Sequence, residues 1–107
     1  MISDERADAA VEFIRDHAKR HGQLKGAISF HEYETKRAKA AAFLESEGTV
    51  AEREHKAMLD DSVRQAHEKL RDSIADEMML RDQIEAATLT FEKWRTEQSN
   101  ARAKGMP

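Results

Sequence analysis

The sequence predicts an all-α fold, a long antiparallel helical hairpin assembled as a dimeric or higher coiled-coil-like bundle. Three observations carry this expectation. Between Thr49 and Gly105 there is neither Gly nor Pro, and Ala, Glu, Lys, Arg, Gln, Leu and Met, all strong helix formers, dominate. The apolar residues of that stretch recur in a 3–4 alternation, the pattern of a helix–helix seam. Charged residues make up 36% of the chain and the mean hydropathy is -0.82. No run alternates β-branched with polar residues, so the composition fits long helices rather than a sheet.

The elements follow in order. Ser3 is placed to cap a first helix, with Asp4, Glu5 and Asp8 behind it, where carboxylates suit the positive helix end. Val11, Ile14 and Ala18 mark an apolar face at helical spacing. This helix is expected from about residue 3 to residue 21. Gly22 and Gly26 follow, and each Gly costs a helix about 1 kcal/mol against Ala. A kink or short break is therefore predicted at 22–26. A second helical segment, about 27–46, carries Phe30, Tyr33, Arg37, Ala40 and Leu44 in a 3–4 row. Ala38 and the Ala40–Ala42 run give it a smooth side for close helix approach. Residues 47–49 form the turn, and so short a connection implies antiparallel neighbours.

The long arm, about 50–103, opens with a capping box in which Thr49 precedes Glu52. Its expected oligomer seam comprises Leu59, Val63, Ala66, Leu70, Leu80, Ile84, Ala87 and Phe91. Ser73 and Glu77 interrupt that row. Ile74 and Met78 beside the interruption offer a second apolar strip. The whole chain, 1–107, reads as a single helical domain. A thin hairpin buries little apolar area per residue, so its stability calls for a second chain, with a dimer favoured.

Composition narrows the classes of function. Cysteine is absent, which excludes disulfides and thiolate metal sites. No run of about 18 apolar residues and no signal-peptide core occurs, so no membrane association is expected and the cytoplasm is the expected compartment. The net charge is -3, unevenly spread. Residues 15–39 carry +4, residues 45–85 carry -6, and residues 86–107 carry +2. Oppositely charged arms attract when they lie side by side, although solvated faces with weak i,i+4 pairs account for most such charges.

Few constellations suggest chemistry. His17 and His21 are four apart, a metal-ligand spacing, but no third ligand or HExxH motif accompanies them, and exposed surface histidines are expected. No nucleophile triad, phosphate-binding Gly loop or nucleotide fingerprint is present. A hairpin also lacks a deep cleft. The expectation is no enzyme, no cofactor and no metal. Trp94, Arg95 and Arg102 form a candidate partner contact, set against a plainer role for Trp94 in the last turns of the seam. Lys19, Arg20, Lys25, Lys36 and Arg37 are candidate nucleic-acid contacts, set against solvated or intramolecular pairing.

Tyr33 through Glu54, YETKRAKAAAFLESEGTVAERE, and Phe91 through Arg102, FEKWRTEQSNAR, resemble a group of small helical bacteriophage proteins. The shared features are an alanine-rich stretch, an EGTVAER-like turn and a late E-x-W-R-x-x-x-S-x-x-R element. Here that element falls on Glu92, Trp94, Arg95, Ser99 and Arg102. The resemblance covers roughly the last three quarters of the chain and leaves the histidine-rich N-terminal part outside it. Such proteins are often encoded among phage recombination and replication genes. The resemblance therefore implies an accessory role in DNA metabolism within the bacterial host.

Three functions are consistent with these readings. The first is a non-enzymatic, homo-oligomeric interaction protein that binds a protein partner. The second is a nucleic-acid-binding accessory that uses the basic first arm and the Trp/Arg patch. The third is a structural or assembly helper without a discrete site.

Overall fold

A computed structural model describes residues 1–105. The fold is an all-α helical hairpin, and among the described residues there is no strand. Helix α1 spans Asp4–Glu45, α2 spans Val50–Leu59 and α3 spans Asp61–Ala103. Two compact units are distinguishable. One combines Met1–His21 with the chain from Met78 onward, and the other is Gly22–Glu77.

In the first unit, the start of α1 runs antiparallel to the end of α3. Ser3 caps α1 by accepting the Arg6 N–H at 3.2 Å. The Ile2 N–H donates to Glu97 Oε2 at 2.8 Å, and the Trp94 Nε1–H donates to Asp4 Oδ1 at 2.8 Å. Ile2, Ala7, Ala10 and Leu80 are buried. Ile14, His17, His21, Ile84, Ala87, Phe91 and Trp94 are half-buried beside them. The covered row of α1 is thus 7, 10, 14, 17, 21, with Ile14 inside and Val11 and Ala18 exposed. Only one member of the expected apolar face packs, because burial follows the 3–4 heptad row rather than hydrophobicity alone.

In the second unit, α1 doubles back through residues 46–49. Gly48 adopts a φ of 117°, a backbone conformation that glycine accepts without a steric penalty. Thr49 then caps α2 by accepting the Glu52 N–H at 3.2 Å. Ala42, Ala57 and Val63 form a buried cluster, with Ala38 and Phe43 packed on it. Arg53 closes the end of the cluster. Its Nε–H donates to the Phe43 carbonyl at 3.1 Å, and its guanidinium lies 4.3 Å from the Phe43 ring centre, a cation–π contact.

The structure corrects three expectations. The predicted break at 22–26 is absent, and α1 is helical through both glycines. Packing of the same helix in each unit outweighs the intrinsic Gly cost. Second, the long arm is not continuous. Asp60 has φ -66° and ψ 134°, closing α2 and opening α3. Its carboxylate accepts the Ser62 N–H at 2.9 Å, and its carbonyl accepts the Arg64 N–H at 3.1 Å. Asp is among the best N-cap residues, so Asp60–Asp61–Ser62 ends one helix and starts another without Gly or Pro. Behind this cap, Arg64 donates to Asp61 and holds its carboxyl below the ordinary value.

The third correction follows from the second. The extended residue shifts the helical phase, so Ala57 is 1% exposed whereas Leu59, the expected start of the seam, is 84% exposed. From Val63 onward the covered row is in phase: 63, 66, 70, 73 and 77 in this unit. Ser73 and Glu77 keep the heptad in register rather than interrupting it, and Glu77 is buried. Asp60→Ala is expected to destabilise the chain by about 1 kcal/mol, the usual worth of an N-cap. The shift is read as a lower urea midpoint at an unchanged slope.

Candidate interaction surface

Functional side chains are best located by separating what each unit covers from what it leaves outside. Of the expected oligomer seam, Val63, Ala66 and Leu70 lie in the second unit and Leu80, Ile84, Ala87 and Phe91 in the first. All seven are buried or half-buried within one chain. In each unit the first arm is the element that covers them, so this row is an intrachain seam.

The first arm inverts its expectation. Phe30, Tyr33, Arg37, Ala40 and Leu44 are exposed, and the covered row is Leu24, Ile28, His31, Thr35, Ala38 and Ala42. These positions also step by three and four, so two 3–4 rows coexist on opposite sides of the helix. The covered row is the more polar one, and its polar groups have local partners. The Thr35 hydroxyl donates to the His31 carbonyl at 2.8 Å, and among the described residues no buried side-chain nitrogen or oxygen lacks a partner.

The outer row meets α2 at an open groove of about 650 Å³, lined by Lys36, Lys39, Ala40, Phe43, Leu44, Glu54, Ala57 and Met58. Tyr33 is 62% exposed, Leu44 73% and Met58 67%. Val50 is exposed on the same short helix. Apolar side chains contiguous on a surface mark interaction sites more often than isolated ones do. A second depression, lined by residues that include Phe30, Glu34, Gln65 and Lys69, is smaller and more polar.

The histidines expected on the surface lie instead on the covered row. His17 stacks on Phe13 with ring centres 4.0 Å apart, and its Nδ1 is 2.8 Å from the Phe13 carbonyl. Among the described residues, no group of three or more His, Asp or Glu side chains is arranged to hold a metal ion.

Trp94 also belongs to the covered row. It stacks with Phe91 at 5.9 Å, and its N–H is taken by Asp4, so it serves the seam. Arg95 and Arg102 remain exposed. Of the candidate nucleic-acid contacts, Lys19 and Arg20 are exposed in the first unit, and Lys25, Lys36 and Arg37 in the second. Lys25 and Lys36 are three turns apart and share a side, whereas Arg37 points about 100° away and sits 3.8 Å from Glu34. Among the described residues, no helix is long and apolar enough to cross a membrane.

Sequence reasoning missed the groove because the tip was read only for its packing. Leu44 falls on the row expected to pack, so the sequence alone gives no sign that it stands outside with Met58. Compared with known proteins, the chain matches no family model, no curated protein and no solved structure.

Proposed function

We propose that the protein is a non-enzymatic, homo-oligomeric interaction protein that docks a protein partner through exposed helix faces. In this reading, the resemblance to small phage proteins supports a role in DNA recombination or replication, in the cytoplasm of the bacterial host. One observation carries the reading. Near the turn the hairpin fills its inner seam largely with small and polar side chains, including Thr35, Ala38, Ala42 and Ala57, yet holds Tyr33, Leu44 and Met58 outside. A chain that used its apolar residues only for its own fold would place the larger ones within. The surface outside is therefore the part available for recognition.

Nucleic-acid binding is the competing reading, supported by exposed Arg95 and Arg102, which lie seven residues apart on one side of α3. A titration separates the two. Short single- and double-stranded DNA would be added at about 50 and 200 mM salt, with Trp94 fluorescence and anisotropy of labelled DNA as readouts. The expected result is no binding at either salt, together with stoichiometric co-purification of one protein encoded beside it. DNA binding that weakens steeply with salt, with no co-purifying protein, would overturn the proposal and favour the nucleic-acid reading.

A further inference from the structure

The groove between the last turns of α1 and helix α2 has a polarity of its own. Phe43, Ala40 and Ala57 form its apolar floor, and Leu44 and Met58 stand up from it. Lys36 and Lys39 come from α1, and Glu54 comes from α2. Cations thus belong to one wall and an anion to the other.

A surface of this kind is self-complementary. A two-fold axis running along the groove, in the plane of the interface, brings the Lys36/Lys39 wall of one copy against the Glu54 wall of the other. The same rotation sets the exposed Leu44 of each copy against the exposed Met58 of the other, closing the two grooves over a shared apolar interior. An unrelated partner would need the same charge order by coincidence, whereas a second copy has it by construction.

We propose that this groove is the self-association site of the protein, occupied by the same groove of a second copy. The proposal deepens the homo-oligomer part of the function proposed above and rests on it. The patch is smaller than the roughly 800 Å² per partner of a standard interface. The dimer is accordingly expected in the micromolar range of dissociation constant, on the order of 1–100 μM.

Sedimentation equilibrium of the full chain over a wide concentration range tests this. The variants are Leu44→Asp, the pair Lys36→Glu/Lys39→Glu, and Glu54→Lys. Each substituted side chain is exposed in the single chain, and circular dichroism melting verifies that each variant folds. Leu44→Asp is expected to raise the dissociation constant tenfold or more, about 1.4 kcal/mol. Each charge reversal alone weakens self-association. Mixing Lys36→Glu/Lys39→Glu with Glu54→Lys restores both charge matches and forms a heterodimer more readily than either variant self-associates.

A wild-type chain that stays monomeric at every concentration overturns the proposal and the homo-oligomer reading together. A wild-type dimer that is indifferent to all three variants overturns only the assignment to the groove and leaves self-association standing.

Discussion

Val63→Asn is expected to destabilise the chain by about 3 kcal/mol or more, whereas Leu59→Asn changes stability by less than about 0.5 kcal/mol. The two positions belong to one 3–4 row in the sequence, and Leu is the larger apolar residue. By hydrophobicity alone Leu59 is the more costly site. The structure reverses the order through one residue. Asp60 leaves the helix, α3 restarts at Asp61, and the phase of the row shifts. Val63 is then 2% exposed among Ala42, Ala57, Ala38 and Phe43. An amide placed there has no partner in an apolar cluster, and the hole left by the lost methyl adds to the cost. At Leu59 the same amide stays in water. Urea unfolding monitored by circular dichroism measures both. Equal losses at the two positions would mean that α2 and α3 form one continuous helix in solution.

That contrast shows where sequence and structure part company. The helical class, the Ser3 and Thr49 caps, the turn at Gly48 and the row from Val63 to Phe91 are all legible. Each follows from local chemistry or from a repeat long enough to outweigh exceptions. Ser73 and Glu77 looked like interruptions only because they are polar. The spacing of the row passes through them unchanged.

What was not legible is which of two rows on the first arm faces inward. Phe30, Tyr33, Ala40 and Leu44 are more apolar than Ile28, His31, Thr35, Ala38 and Ala42, yet the latter row is covered. The choice is made jointly by both arms. Ala38, Ala42 and Ala57 let the helices approach closely, and no measure of one helix taken alone contains that information. The candidate site inherits this. Leu44 and Met58 became a surface feature only once the small residues had claimed the inside. Of the two roles open to Trp94, the structure has the plainer one, a seam position with a satisfied N–H.

The double substitution Gly22→Ala/Gly26→Ala is expected to stabilise the chain by about 1–2 kcal/mol. Both glycines lie inside α1, and a Cβ at either position meets nothing within 4 Å. Nothing on the surface opposes the added methyls, and the unfolded chain loses freedom that it would otherwise have to give up on folding. For a chain of this length such a gain raises the melting midpoint by several degrees. Gly48→Ala serves as the internal control, because it is the same exchange with the opposite sign. There φ is +117° and a Cβ would run into the Glu52 side chain, so a loss of roughly 1–2 kcal/mol is expected. Together the three positions separate two uses of glycine that composition cannot distinguish. At the turn, the residue is required by a backbone angle. Within α1 it is tolerated at a cost, and a hinge at 22–26 would reveal itself by turning the expected gain into a loss.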